Sequence, residues 1–405
     1  MEKSKAFLVV CDGIGDLQVN GKTPLQKASK PNMDKLAEMG QNGLVHTIGV
    51  GVIPGSDTAH LALFGYDPYK YYKGRGTFEA LGSGMTLEHG DVAFRCNFAT
   101  VDPKFKVIDR RAGRIGTDIA RELGKSLDGM EIDGVKIVFK PTTEHRATLV
   151  LRGKGLSCKV GDTDPHGCES VLEAKPLDGS KEAKKTADVL NKFTKKSYEL
   201  LKEHAINKNR AEKGENQANI ALARGAGEFE AVDSLEKRFG FKSACIAGGA
   251  LYKGVARFVG MDILDVKGAT GTVDTNVLAK AKAAREALKK YDFVFVHVKG
   301  MDGASHDGNY DAKVKMVEKI DKLIGELLKE NAYIILTGDH TTPIVKKEHS
   351  HEPVPICIYG KNVRIDDVKT FDEFAAAKGS LGQIRGIEVM QIIASLMGFT
   401  HIFGA

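Results

Sequence analysis

The stretch FVFVHVKGMD at residues 293–302 decides the fold that this sequence predicts. It opens with a short run rich in β-branched and aromatic residues, which is typical of a strand buried on both faces of a sheet. The run breaks at a glycine, and the acid Asp302 follows. Two other runs share this design: residues 6–10, which lead to Asp12, and residues 332–336, which lead to Asp339 and His340.

Helical patterns lie between these strands. Apolar residues recur at three- and four-residue spacing from 311 to 330, and residues 275–290 are rich in Ala, Lys and Leu. Alternating strands and helices predict right-handed parallel crossovers, and therefore an α/β fold with a doubly wound, mostly parallel sheet. Ligands of such sheets bind at the carboxyl ends of the strands, where these acids fall.

The middle of the chain has another pattern. Alternation and turn residues around 91–98 and 147–152 predict a smaller mixed sheet, followed by a basic helical stretch. The buried-strand pattern returns at 241–246. We therefore predict a discontinuous core domain, 1–75 with 237–405, and an inserted smaller α+β domain, 76–236.

Composition narrows the class of protein. The chain has 405 residues, 42% hydrophobic and 28% charged, which is ordinary for a soluble protein. A net charge of +6 suits a small anionic substrate, and the absence of Trp leaves few stacking platforms for bases. No C-x-x-C pair occurs, and no apolar stretch approaches the roughly 18 residues of a membrane span. We expect a cytoplasmic protein that binds neither nucleic acid nor a membrane.

Carboxylates and imidazoles cluster at the predicted strand ends. Each pair alone is more simply explained as a turn former or a helix cap, but their joint occurrence at three strand ends predicts metal binding. Mixed Asp and His ligands suit manganese, cobalt or zinc better than calcium. The candidates are Asp12, Asp302 with His306, Asp339 with His340, and the neighbours His349 and His351.

A serine lies where phosphoryl transfer needs a nucleophile. Ser56 follows a glycine in PGSDTAH at residues 54–60, at a turn that opens a predicted helix. A helix N-terminus directs free N–H groups at a phosphate, and a nearby metal favours the alkoxide form of the serine. Ser56 alone reads as an N-cap. Beside two metals about 3.5–4 Å apart, which can clamp a phosphoryl group, it reads as the nucleophile.

These motifs resemble the alkaline phosphatase superfamily of metalloenzymes and, within it, the archaeal-type cofactor-independent phosphoglycerate mutases. They run from residue 12 to residue 355 and so span nearly the whole chain. They are more specific for the superfamily than for the reaction. The resemblance implies an alkaline-phosphatase-like, metal-binding core with two metal sites and an inserted domain that handles the substrate. One would comprise Asp302, His306 and His349, with His351 as the alternative to His349, and the other Asp12, Ser56, Asp339 and His340.

The resemblance also implies a reaction. The enzyme would be an isomerase of glycolysis and gluconeogenesis that interconverts 3-phosphoglycerate and 2-phosphoglycerate through a phosphoserine at Ser56. It would use two divalent ions, manganese first, with magnesium, cobalt or zinc as alternatives, and no 2,3-bisphosphoglycerate. Arginines suit the carboxylate and phosphate of this substrate. The candidates are Arg110, Arg111, Arg114 and Lys253.

Several questions stay open at this point. An acid in the insertion would move protons, and the sequence does not choose between Asp109 and Asp162. A metal-dependent phosphatase, or another phosphomutase, would use the same metal motifs. A nucleotide-binding or interaction protein is disfavoured because position 79 is Glu and position 119 is Ile, where dinucleotide and Walker motifs require glycine. The oligomeric state is not determined.

Overall fold

The structure, a computed structural model, describes residues 3–402 and residue 404. Its strands are β1 Ala6–Cys11, β2 Gln41–His46, β3 Val92–Val101, β4 Val107–Asp109, β5 Glu131–Ile132, β6 Val135–Pro141, β7 Arg146–Arg152, β8 Ile220–Glu228, β9 Ser243–Ile246, β10 Asp262–Ile263, β11 Phe293–Val298, β12 Tyr333–Thr337, β13 Val354–Tyr359 and β14 Gly382–Arg385.

The helices are given in the same chain order. They are α1 Pro24–Lys27, α2 Pro31–Glu38, α3 Ser56–Leu63, α4 Pro68–Tyr71, α5 Arg75–Gly82, α6 Thr117–Gly124, α7 Lys181–Glu203, α8 Ala205–Glu212, α9 Leu235–Phe239, α10 Ala250–Phe258, α11 Val277–Ala287, α12 Gly300–His306, α13 Tyr310–Leu327, α14 Glu373–Ala376 and α15 Gly386–Leu396. Among the described residues, none of these helices has both the length and the apolar character needed to cross a membrane.

The chain divides into two compact units. The first is Met1–Tyr72 together with Val232–Ala405, and the second is Lys73–Ala231. These limits lie close to the predicted domain boundaries at 75/76 and 236/237. The roles predicted for the two domains, metal binding and substrate handling, stay predictions.

An eight-stranded sheet forms the centre of the first unit. Its order is β10-β9-β11-β1-β12-β13-β2-β14, and only β13 runs antiparallel to its neighbours. Every residue of β1, β11 and β12 is buried, as their continuous apolar runs predict. The predicted α/β class with a mostly parallel sheet is confirmed. Register places Cys11 beside Val298 and Val10 beside Thr337, so these three strands end at the same edge.

The second unit contains a six-stranded sheet in which every strand pair is antiparallel. The expectation of a mixed sheet is therefore wrong. Short connections join β3 to β4, β5 to β6 and β6 to β7, and each of them reverses the chain direction. A parallel pair would need a long crossover connection instead. Asp133 and Gly134, which join β5 to β6, have φ of 51° and 73°, the geometry of a type I′ hairpin. Helix α7 covers this sheet with buried Leu190 and Phe193.

Candidate active site

The segments that follow β1, β11 and β12 bring their acids together in the first unit, Asp302 from the first turn of α12. Asp12, Asp302 and Asp339 are all buried. Two groups of metal-ligating side chains result, and within each group the ligand atoms lie within 4.8 Å of one another. Their members are Asp12, Asp339 and His340 in the first group, and Asp302, His340 and His349 in the second.

The first group carries carboxylate oxygens that no protein donor satisfies. Asp339 accepts hydrogen bonds through Oδ1 from the backbone N–H groups of Gly13 and His340, each at 3.1 Å. Its Oδ2 and Oδ1 of Asp12 are buried without a hydrogen-bond partner. His340 Nε2 lies 3.1 Å from Asp339 Oδ2 and 3.5 Å from Asp12 Oδ1. Buried charges are costly unless they are paired or bind a metal, so this group fits a cation.

Ser56 lies beside this group. The predicted helix begins at Ser56 as α3, and the N-cap is Gly55 (φ −83°, ψ 153°), so the N-cap interpretation of Ser56 is wrong. Its Oγ lies 3.1 Å from Nε2 of His340. The serine hydroxyl is therefore within reach of the same position that the unpartnered carboxylate oxygens face.

Two imidazoles face one oxygen of Asp302: that of His349, which belongs to the second group, and that of His306, which does not. His306 Nε2 lies 3.2 Å and His349 Nε2 3.6 Å from Asp302 Oδ1. Each imidazole uses Nδ1 to contact a backbone carbonyl, His306 that of Lys347 at 2.7 Å and His349 that of Pro54 at 2.8 Å. A carbonyl acceptor on Nδ1 leaves Nε2 free to bind a metal, which is the usual arrangement of metal-ligating histidines. His349 is half-buried, whereas His351 is exposed.

The sequence interpretation overlooked several residues of this site. Lys299 Nζ lies 2.6 Å from Asp302 Oδ2 and 3.3 Å from Asp12 Oδ2, so one ammonium bridges the two groups. His297 Nε2 lies 3.2 Å from Asp12 Oδ2, and the Tyr252 hydroxyl donates to the same oxygen. Signals for two of them exist: His297 is the polar residue of an otherwise apolar strand, and Lys299 follows that strand directly.

The groups around Asp302 and Asp12 keep these two carboxylates ionised. Burial and the charge of Asp12 act to raise the pKa of Asp302, but the His349 hydrogen bond and the Lys299 charge outweigh them and lower it to about 2. Burial opposes ionisation of Asp12 as well, and Lys299 and His297 hold its pKa well below its usual value. Burial lowers the pKa of His297 to about 4, so this imidazole is neutral at neutral pH. Metal ligands must be deprotonated, and both carboxylates meet that condition.

The second unit holds a separate basic cluster. A cavity of about 160 Å³ is lined by residues that include Arg95, Arg110, Arg111, Arg114, Arg146 and Arg224. Arg110 makes two hydrogen bonds of 2.7 Å to buried Asp164, which neutralises part of its charge. Burial lowers the pKa of Arg224, and the charge of Arg110 lowers it further. Crowded cations of this kind would be relieved by an anion.

The structure therefore gathers the three predicted arginines but places Lys253 elsewhere. Lys253 lies on α10 in the first unit, where its ammonium is 2.6 Å from the exposed carboxylate of Asp265. Ala112, Gly113 and Arg114 have φ of 48°, 66° and 53°. Non-glycine residues in this left-handed region are strained, and such strain concentrates at functional sites.

Known proteins similar to this chain decide its family. The family model for 2,3-bisphosphoglycerate-independent phosphoglycerate mutase matches residues 37–207. A protein named 2,3-bisphosphoglycerate-independent phosphoglycerate mutase 1, from Methanocaldococcus jannaschii, is 53% identical and covers 100% of both chains. This chain belongs to that family. The relative of the same name from Methanothermobacter thermautotrophicus is 46% identical over 99% of this chain and 100% of its own.

Solved structures agree with the family. A protein from Pyrococcus horikoshii superposes with a TM-score of 0.87 at 40% identity and covers 100% of both chains. The cofactor-independent phosphoglycerate mutase of Thermoplasma acidophilum superposes with a TM-score of 0.75 at 36% identity, covering 98% of this chain and 100% of its own. The predicted resemblance to the archaeal-type mutases is confirmed, and with it the enzyme class, which is that of the isomerases.

Proposed function

We propose that this protein interconverts 3-phosphoglycerate and 2-phosphoglycerate without 2,3-bisphosphoglycerate, by moving the phosphoryl group onto Ser56 and back. Membership of the family supports the reaction. The observation that carries the serine mechanism is the position of Ser56 Oγ, 3.1 Å from His340, whose imidazole belongs to both metal-ligating groups. A glycolytic role follows from the reaction.

Two divalent ions fit the residues of the site. Asp12, Asp339 and His340 would hold one beside Ser56, and Asp302, His306 and His349 the other. The two carboxylate oxygens without a hydrogen-bond partner support the first assignment, and the Nε2 atoms of His306 and His349, which face Asp302 Oδ1, support the second. The mixed carboxylate and imidazole donors suit manganese, with magnesium, cobalt or zinc as alternatives. When bound, such ions supply positive charge that favours the serine alkoxide and offsets the charge on the phosphoryl oxygens.

The chain's own groups would stabilise the phosphoserine. Ser56 is the first residue of α3, so the N–H groups of the first helical turn lie next to its side chain, although that of Thr58 already donates to the Asp57 carboxylate. Lys299, between Asp12 and Asp302, adds a cation to the same position. These donors favour the dianionic phosphoryl group without any movement of the backbone.

The arginines of the second unit would hold the substrate's anionic groups. Arg111 and Arg114 are exposed, whereas Arg110 is already paired with Asp164. We therefore expect Arg111 and Arg114 to contribute more to substrate affinity than Arg110. Lys253 would have to leave Asp265 before it could bind substrate, and its predicted role depends on that exchange.

The geometry also favours one acid for proton transfer. Asp109 is fully engaged, because its carboxylate accepts from the backbone N–H groups of Arg111 and Gly113 and from Asn216. Asp162 accepts one backbone hydrogen bond and faces the exposed imidazole of His166 at 3.0 Å. An acid coupled to a solvent-exposed imidazole can exchange protons, so Asp162 is the better candidate.

A coupled assay tests the proposal. Metal-free protein is incubated with 3-phosphoglycerate, without 2,3-bisphosphoglycerate and with or without manganese, and 2-phosphoglycerate is measured. We expect product only with metal, and loss of product and of phosphoserine, detected by mass spectrometry, in Ser56→Ala. Ser83→Ala is the matched control, because it removes a hydroxyl that donates to the Ala80 carbonyl. Metal-dependent phosphate release without 2-phosphoglycerate would instead identify a phosphatase, and an active Ser56→Ala would exclude the serine mechanism.

A further inference from the structure

Tyr252 brings one phenolic oxygen into contact with two charged groups of the site. The residue lies on α10 and is only 3% exposed. Its hydroxyl donates to Asp12 Oδ2, and Lys299 Nζ donates to it at 2.9 Å. The sequence drew attention to its neighbour Lys253, but the helix turns Tyr252 towards the site instead.

The partners of the Tyr252 hydroxyl determine to which of them it donates its proton. A phenol has one proton to donate and can accept with its oxygen lone pairs. Lys299 offers only donors, so the phenol accepts from it, and ionised Asp12 offers only acceptors, so the phenol donates its proton to Asp12. The phenolic proton is therefore committed to Asp12 Oδ2.

The two carboxylate oxygens of Asp12 have different surroundings. Oδ2 interacts with Tyr252, His297 and Lys299. Oδ1 is buried, has no hydrogen-bond partner and faces His340 at 3.5 Å. The carboxylate is thus fixed by one oxygen, and the other remains free for a cation.

The Tyr252 ring is itself held in place. It stacks on the imidazole of His297, with ring centroids 3.5 Å apart and an interplanar angle of 21°. It also packs against His60, with centroids 5.1 Å apart. The hydroxyl is therefore placed by a packed ring within a buried helix, and removal of its oxygen alone should leave the packing intact.

We propose that Tyr252 is a positioning residue of this site, which fixes Oδ2 of Asp12 so that Oδ1 is left to face a cation. Its effect on turnover rests on the proposed mutase function. Its effect on metal binding does not, because that depends only on the Asp12 carboxylate.

Tyr252→Phe tests the proposal, because it keeps the stacked ring and removes the oxygen. Removal of outer partners of metal ligands typically costs about 10–100-fold in metal affinity or activity. We expect kcat to fall by about that factor with KM for 3-phosphoglycerate unchanged, and manganese to bind the metal-free protein about tenfold more weakly at one site in calorimetric titration. The melting temperature of the metal-free variant should equal that of the wild type.

Tyr333→Phe is the matched control, since it removes a hydroxyl that bonds to the Lys361 carbonyl. It should change neither kcat nor metal affinity. Wild-type kcat and metal affinity in Tyr252→Phe would overturn the proposal, and so would a loss of activity matched by a lower melting temperature with metal affinity unchanged. If the wild type shows no mutase activity, the proposed function fails, while the manganese titration of the two proteins still decides the role of Tyr252 at Asp12.

Discussion

The pH dependence of the free energy of unfolding tests the role of Glu373, whose carboxylate contacts the loop that follows Asp12. The Glu373 carboxylate accepts from the backbone N–H of Asp16 at 3.0 Å and from the hydroxyl of Thr23 at 2.8 Å. Asp16 in turn accepts from Lys313 at 2.8 Å, and the loop that contains it follows directly from Asp12. Burial raises the pKa of Glu373 from the ordinary 4.5 to about 7, although these hydrogen bonds and Lys313 oppose the rise.

The direction of the pH effect follows from this pKa. Between about pH 4.5 and pH 7 the folded protein retains the Glu373 proton that the unfolded chain releases, so stability falls as the pH rises through this range. The full difference between the folded and unfolded pKa values of Glu373 corresponds to about 3 kcal/mol of unfolding free energy. Partial exposure of the residue reduces the expected change in unfolding free energy to about 2 kcal/mol. Glu373→Gln cannot ionise. It should therefore match the wild type at low pH and exceed it by about 2 kcal/mol at pH 8.

Denaturant unfolding of both proteins at several pH values between 4.5 and 8 measures this difference. Because the chain has two compact units, the transition that includes the first unit must be followed with a local probe. Glu388→Gln is the control: Glu388 is half-buried and its pKa is lowered by the Arg385 N–H and guanidinium, so its replacement should not stabilise the protein at pH 8. A stability difference for Glu373→Gln that is constant with pH, or negative at pH 8, would refute the reasoning.

Three further predictions concern the two units. His349→Ala should weaken manganese binding and His351→Ala should not, as measured by calorimetric titration of the metal-free proteins, because the imidazole of His349 lies 3.6 Å from Asp302 whereas His351 is exposed. Lys313→Met should lower the free energy of unfolding by about 3–5 kcal/mol in denaturant titration, because it leaves Asp16 buried without its cation. Phe193→Ala should cost about 3–5 kcal/mol in the second unit yet leave manganese affinity unchanged, since every candidate ligand lies in the first unit.

Much of the core could be predicted because its strands have an unmistakable composition. Runs buried on both faces must be continuously apolar, and residues 293–298 coincide with β11. Helix 311–330 was predicted from its periodicity and is observed at Tyr310–Leu327. The direction of the strands in the second unit was predicted less well, because pairing direction depends on tight turns such as Asp133-Gly134 rather than on the strands themselves.

The candidate site divides in the same way. Acids placed just after buried strands could be identified from the sequence, since parallel strands bring their carboxyl ends to one edge. The partners of those acids could not. Tyr252 reaches Asp12 across 240 positions of the chain, and Arg110 reaches Asp164 across 54. Local pattern carries no information about such contacts.

The sequence by itself determined the strand ends, the nucleophile candidate and the family, because composition and motif spacing are local properties. Only the tertiary structure decided which histidine faces Asp302, which arginine is already paired, and that Lys299 bridges the two metal-ligating groups. Those choices depend on the direction in which each side chain leaves its helix or strand and on the group that packing places opposite it. That direction exists only once the elements have packed together.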